Sequence, residues 1–280
     1  VRLLHTLLCA EARSRNISKS GIHVPFKINV KDGGSDGQWD GEIEVNDYIP
    51  DSLTFYQSKA SALGPADCAN EMHKDGSSEL KPQVARVLEA GGSYVFFCSH
   101  AYNPQLIGDR LQKAREALRD GGRASWQTDK IYFLDGTLIA QWTNKHASAL
   151  AYACRCTRVW QTVALRDFRH WKNDPLFEFN FQSNQPLDKF INDIRSVISE
   201  PKGIARITGP SGLGKTRMGL EVFGSIATGD AEKIRETLAG SVAYLDMQHG
   251  RDVLGWVNQL ALGGYSGVIV VDNCSRKDHN

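Results

Sequence analysis

The sequence predicts an α/β fold in two parts: a mixed sheet with flanking helices, then the opening portion of a parallel sheet. Three observations point there. The chain has 280 residues, enough for about two domains. Strand-like runs alternate with helical patterns through the first part, the order of a layered α/β fold. Later, a glycine-rich loop is followed by a helical pattern and then by the continuous apolar run Gly267-Val268-Ile269-Val270-Val271-Asp272, which suits a parallel strand buried on both faces.

The elements follow in order. Residues 2–15 read as a helix because Leu4, Leu7, Leu8 and Glu11 recur at i, i+3, i+4 and i+7. Glu11 is the odd member, since a carboxylate on an apolar face is costly to bury without a partner. Residues 31–41 form a Gly/Asp-rich loop, and 42–45 and 53–59 alternate as strands. Residues 79–90 read as a helix stopped by Gly91-Gly92, and 94–98 as an apolar strand. A charged helix over 105–120 ends at Gly121-Gly122. A strand over 130–134 and a helix over 147–156 complete the first domain, 1–157. Residues 158–200 form a connector, broken at Asn173-Asp174-Pro175 and carrying a helix over 188–199 before Pro201. The last domain, 201–280, begins with a short strand over 204–208, and 217–223 read as a helix.

Composition narrows the function classes. Apolar content of 41% and charge of 23% are ordinary for a globular protein, and a net charge of +1 excludes wholesale coating of nucleic acid. Six cysteines at irregular spacing form neither a disulfide framework nor a zinc pattern, so they read as reduced thiols of a cytoplasmic protein. The leucines near the start suit an amphipathic helix better than a signal peptide, and no segment is apolar enough to span a membrane. The chain opens on Val1 and stops soon after Asp272, so it is expected to be part of a longer protein. Arg110, Lys113, Arg115, Arg119 and Arg123 alternate with acids as a solvated face, and Trp126, Trp142, Trp160 and Trp171 read as core or interface.

The stretch Gly209-Pro210-Ser211-Gly212-Leu213-Gly214-Lys215-Thr216 is a complete G-x-x-x-x-G-K-[ST] phosphate-binding loop. Its glycines let backbone N–H groups face a polyphosphate, and the following helix adds its positive end. Lys215 is expected to reach the β/γ-phosphates of ATP, Thr216 and Asp272 to hold Mg²⁺, and Arg217 to complete the nucleotide contacts. Asn273 stands where many ATPases carry a second, water-polarising acid, which argues for a switch over a fast motor.

A second constellation lies upstream. Asp36-Gly37-Gln38-Trp39-Asp40-Gly41 precedes Gln57-Ser58-Lys59. An acid at the start of one strand and Q-x-K on the next is what a metal-dependent phosphodiesterase needs. Gln57 and Lys59, two apart on a strand, share a face. Asp40 and Gln57 are expected to ligate Mg²⁺, with Lys59 positioning water and offsetting phosphate charge. The pattern resembles the Mrr-like branch of the PD-(D/E)xK restriction nucleases, in which D-G-G-I-D-G precedes Q-x-K; Gln38 and Trp39 depart from it. The resemblance implies a restriction-endonuclease-like mixed sheet, Asp40 as metal ligand, Asp36 as auxiliary or fallback acid, and Glu11 as the further acid that family often carries on its first helix.

A nuclease of this kind ahead of a P-loop NTPase resembles the bacterial antiviral STAND NTPases of the Avs type, relatives in logic of NOD-like receptors. That resemblance implies an antiphage effector. A C-terminal sensor, absent here, would recognise a phage protein. ATP would then drive homo-oligomerisation, a tetramer being favoured, and the clustered nucleases would cut double-stranded DNA with Mg²⁺. Two other readings stay open at this point: a restriction enzyme with a DNA-translocating NTPase, and a non-catalytic scaffold with a decayed nuclease domain.

Overall fold

The computed structural model describes residues 1–15, 17–26, 35–121, 128–157, 165–177, 181–224, 230–248, 253–262, 265 and 267–274. The chain divides into two compact units: Val1–Ala12 with Ile17–Trp142, and Arg13–Asn16 with Thr143–Asn280. The predicted helix near residue 150 therefore belongs to the second unit. Arg123, Trp126 and Trp160 lie outside the described residues, as does part of the 31–41 loop.

The first unit is a mixed α/β layer. It runs α1 (Arg2–Ser14), β1 (Ile22–His23), β2 (Gly37–Asp40), β3 (Leu53–Lys59), α2 (Pro65–Met72), α3 (Pro82–Glu89), β4 (Ser93–Cys98), α4 (Pro104–Asp120), β5 (Ile131–Leu134) and α5 (Gly136–Asn144). The sheet order is β1-β2-β3-β4-β5. The first three strands are antiparallel; β3, β4 and β5 are parallel because helices cross over between them. β4 lies between β3 and β5, and all six of its residues are buried.

Strand alternation splits the core. Phe55, Tyr94, Phe96, Ile131 and Phe133 pack with Met72, Val84, Val87, Ala114 and Leu118 from the helices α2 to α4. The intervening residues, such as Tyr56, Val95 and Phe97, are buried on the opposite face. α1 covers part of that second face with Leu4, Leu7 and Leu8, each fully buried and each contributing about 1.5–3 kcal/mol. Gly37 shows how close the helix comes: a Cβ there would sit 2.8 Å from Leu4 Cδ2.

Helix ends follow their capping chemistry. Asn103 accepts the N–H of Leu106 at 2.9 Å, Pro104 occupies the first turn, and α4 ends at Gly121. The face of α4 is not wholly solvated: Arg110 is buried, with its guanidinium 3.9 Å from the Tyr102 ring centre and Nε donating to Leu63 O. It pins α4 to the start of α2. Lys113 instead pairs with Glu116 at the surface.

One strand lies where the sequence predicted a loop. Residues 42–45 form no strand; Gly37–Asp40 do, registered as Gly37↔Tyr56 and Asp40↔Leu53. Burial of Trp39 (2% exposed) and pairing to β3 outweigh the turn-like composition. α2 and α5 had no counterpart in the sequence reading.

The second unit runs α6 (Ala147–Thr157), β6 (Arg166–Asp167), α7 (Phe168–Lys172), α8 (Gln185–Ser199), α9 (Lys215–Gly224), α10 (Asp230–Ser241), β7 (Val242–Asp246), α11 (Val253–Leu262) and β8 (Val268–Asp272). Its sheet order is β6-β7-β8, with β7 and β8 parallel. The supposed connector thus contributes a strand and two helices to this unit. β7 is buried on both faces. Ala243 and Leu245 pack with Ala147, Val253 and Leu260; Val242 and Tyr244 pack with Trp171, Leu220 and Phe223. Trp171 stacks on Tyr244 with ring centres 4.3 Å apart.

The short strand expected at 204–208 does not form. Those residues carry no strand pairing among the described residues, and Ile204 is 88% exposed. An extended segment becomes a strand only when its N–H and C=O groups find a neighbour. All six cysteines are free thiols. No helix among the described residues is long and apolar enough to cross a membrane.

Candidate functional site

The second unit contains an open cleft of about 1680 Å³, lined by the glycine loop and the segment before it, the first turn of α9, the end of β7, and β8 along its whole length, C-terminal end included. In an open α/β sheet that end is where ligands bind. Gly212 and Gly214 adopt φ of 83° and 75°, left-handed values that a side chain at Cβ would strain. These turns deliver the chain into α9, whose first residue is Lys215 and whose N–H of Met218 reaches Gly214 O at 2.8 Å. Lys215 Nζ donates to Pro210 O at 2.8 Å, folding the side chain over its own loop. Gly209, Ser211 and Thr216 line the same cleft, while Leu213 is 70% exposed at the loop tip.

Arg217 also lines the cleft, but its guanidinium is engaged along α9. Nε donates to Glu221 at 2.7 Å and Nη1 to Phe177 O at 3.0 Å. The buried i,i+4 carboxylate of Glu221 thus holds it on its own helix.

Asp272 ends β8, as predicted. Its Oδ1 accepts the N–H of Asn273 at 2.8 Å and its Oδ2 the hydroxyl of Tyr244 at 3.0 Å. Burial, and then the Asp272 and Asp246 carboxylates, push the Tyr244 phenol far above its ordinary range, so it remains a donor. Asp246 ends β7 beside Asp272 and is buried. The sequence reading missed it, although residues 242–246 carry the same apolar-run-then-Asp pattern as 268–272.

In the first unit, Gln57 and Lys59 share one face of β3, as their spacing requires. Gln57 is 5% exposed, and its Oε1 is buried without a hydrogen-bond partner among the described residues. A buried amide oxygen left unpaired costs about 1–3 kcal/mol, so it marks either strain or a place for a ligand. Lys59 Nζ lies 2.7 Å from Glu71 Oε1 on α2, and Lys81 takes the other oxygen at 2.9 Å. Burial acts to raise the Glu71 carboxyl, but hydrogen bonds from Lys59 and Lys81 prevail and hold it below its ordinary value. Glu71 was missed because α2 itself was.

The structure separates the two aspartates. β2 runs antiparallel to β3, so its start lies beside the end of β3. Asp36 donates its N–H to Tyr56 O and accepts the Ser58 N–H on Oδ2, both at 2.8 Å. The paired ladder ends at Gly37↔Tyr56, and these two bonds hold Asp36 just beyond it, at the Gln57–Ser58 end of β3. Asp40 stands opposite Leu53 at the exposed far end, with Gln38 Nε2 3.4 Å from its carboxylate. Four residues at about 3.3 Å each put it roughly 13 Å along the strand from Gln57. Antiparallel direction thus brings Asp36, not Asp40, to the Q-x-K.

Glu11 is not brought there either. Its carboxylate accepts Trp142 Nε1 at 2.9 Å and Asn46 Nδ2 at 3.3 Å. Trp142 stacks on Tyr48, whose carbonyl receives the Tyr56 hydroxyl. Tyr56 points to the face opposite Gln57, so Glu11 belongs to a polar clamp beneath the sheet.

Among the described residues no three His, Cys, Asp or Glu side chains come together to hold a metal ion. The Q-x-K end offers the Asp36 carboxylate, the Glu71 carboxylate already held by two lysines, and one orphaned amide oxygen, a sparse donor set that fits a hard divalent ion only if water or phosphate oxygens complete it. No family model matches this chain, nor does any curated protein or solved structure.

Proposed function

We propose that this chain couples a nucleotide switch to a metal-dependent DNA nuclease. The observation that carries the first half is the glycine loop. Gly212 and Gly214 turn left-handed immediately before Lys215 at the start of α9, across a cleft from Asp272. Backbone N–H groups, a helix N-terminus and a lysine that donates to a neutral carbonyl suit the phosphates of ATP. Thr216 and Asp272 would hold its Mg²⁺. Gaining the phosphates requires Lys215 to give up a carbonyl, not an ion pair.

The second half rests on the Q-x-K end of β3. Asp36 and Gln57 are the residues we assign to a divalent ion, with Lys59 facing the phosphate. A bound Mg²⁺ would polarise a phosphodiester and lower the pKa of water. On the resemblance to Avs-type STAND NTPases, double-stranded DNA is the substrate and clustering of copies, triggered by a phage protein, is the activator. A near-neutral chain with few donors at the cut site gains most from such clustering, through avidity.

The deciding experiment is titration of a fluorescent ATP analogue with Mg²⁺ into the wild-type chain and Lys215→Ala. Saturable binding weakened by about 10- to 150-fold in the variant is expected, since a charge-assisted phosphate contact contributes about 1.5–3 kcal/mol. Equal binding by both proteins refutes the nucleotide half.

A further inference from the structure

Asn273 follows Asp272 where a proton-accepting acid was expected, yet the structure supplies an acid from the neighbouring strand. In the parallel ladder Asp246 is the partner of Asp272. Two adjacent carboxylates are not by themselves a site. These two line the same open cleft as Gly214, Lys215 and Thr216.

Their surroundings differ. Asp272 takes the Tyr244 hydroxyl and the Asn273 backbone N–H. Asp246 takes Asn273 Nδ2 at 2.8 Å and the Gln248 N–H at 2.9 Å, both on Oδ1. Asn273 therefore bridges the acids, main chain to one and side chain to the other. It does so at φ 57°, a left-handed conformation that asparagine tolerates better than most residues. Being neutral, it donates to both without adding a third negative charge.

We propose that Asp246 is the water-activating acid of this cleft, that Asp272 is its metal-holding acid, and that Asn273 is a positioning residue fixing one against the other. The proposal rests on the reading of the cleft as a nucleotide site and adds a hydrolytic step to it. A water oxygen bonds to the γ-phosphorus while the bond from that phosphorus to the β–γ bridging oxygen breaks. Asp246 takes one proton from the water. The bridging oxygen leaves on the nucleoside diphosphate with the electron pair, hydrogen phosphate departs, and Asp246 returns its proton to solvent. The neutral residue after Asp272 is then no bar to turnover.

The test measures Mg·ATP affinity and steady-state hydrolysis for the full chain and its variants. Asp246→Asn should bind within about threefold of wild type while kcat falls by about 100-fold or more, the size of a general-base contribution. Asn273→Ala should lower kcat by about tenfold with KM unchanged, the split expected of a group that acts only on the transition state. Should Asp246→Asn fail to fold, Asp246→Glu is read instead. It keeps the charge but displaces it by one methylene, and kcat should drop by about tenfold or more at unchanged affinity. Wild-type turnover in either Asp246 variant overturns the assignment, as does a folded Asp246→Asn that loses binding. A wild type that binds ATP and never hydrolyses it overturns the assignment too, and the binding reading survives. A wild type that does not bind ATP removes the nucleotide reading itself.

Discussion

The two candidate sites both sit at the C-terminal ends of parallel strands, but their charges are held differently. At the end of β3, Lys59 is already paired with Glu71, which Lys81 shares. In the glycine-loop cleft, Lys215 donates to a carbonyl, and Asp272 accepts from a phenol and a backbone amide. A phosphate entering the cleft displaces neutral partners. A phosphate entering the β3 site must draw a lysine out of a half-buried ion pair. The cleft is poised, whereas the β3 site resists. That contrast suits a chain in which nucleotide binding comes first and cutting waits for help from clustering.

The largest effect is expected at the aspartates. On the proposed reading, Asp36→Ala should lower Mg²⁺-dependent plasmid cleavage by about 100-fold or more, because the carboxylate held on the Ser58 N–H, beside Gln57, is gone. Asp40→Ala should stay within about threefold of wild type, since its carboxylate lies roughly four residues down the strand. Cleavage lost in Asp40→Ala and kept in Asp36→Ala would mean that β2 pairs in another register when the enzyme is active. Cleavage kept in both, and in Lys59→Ala, would remove the nuclease from this domain.

How much of this was legible in the sequence depended on range. The glycine loop was readable because its chemistry is local: Gly212, Gly214 and Lys215 carry their own backbone requirements. β3 was readable from alternation over 53–59. β2 was not, because Gly37, Gln38 and Asp40 resemble a turn, and only pairing with β3 and burial of Trp39 make them a strand. The choice between Asp36 and Asp40 is a matter of register, which spacing cannot supply. The strand expected before the glycine loop failed for the same reason: pattern proposes a strand, but a partner makes one. Glu71 was invisible because it meets Lys59 through α2, a helix whose apolar face is only Cys68 and Met72.

A middle-sized effect is expected at Glu71. Removing it leaves two partly buried lysines without their shared carboxylate, at a cost of about 2 kcal/mol, between surface and buried pairs. The pH dependence has a defined sign. The folded-state carboxyl is held below its unfolded value, so its contribution is fully present above that value, near pH 4.3, and fades as pH falls through the lower folded value. Urea midpoints measured from pH 7 down to pH 3 should show a wild-type decline that Glu71→Gln makes shallower. Parallel curves for the two proteins would show that the clamp contributes nothing. Freed of the clamp, Lys59 should also reach DNA more easily. If resistance at β3 is the basis of latency, unactivated Glu71→Gln protein should cut plasmid faster than unactivated wild type.

The smallest effect is expected at Glu11, and it separates a catalytic acid from a structural one. Glu11→Gln keeps an oxygen for the Trp142 indole N–H or the Asn46 amide and removes the charge beside Tyr56, whose phenol is pushed up by burial and then by that carboxylate. Stability should change by about 1 kcal/mol, the scale of one hydrogen bond, with cleavage by the activated protein within about threefold of wild type. Glu11→Ala should cost more, about 1–3 kcal/mol, because a buried indole N–H loses its acceptor. Cleavage per folded molecule should still hold, since the carboxylate lies on the face of β3 opposite Gln57 and Lys59. A Glu11→Gln protein that is fully stable and no longer cuts would place this acid in the chemistry. The β3 site would then have to draw on both faces of its sheet, an arrangement that the alternation of Tyr56, Gln57 and Ser58 opposes.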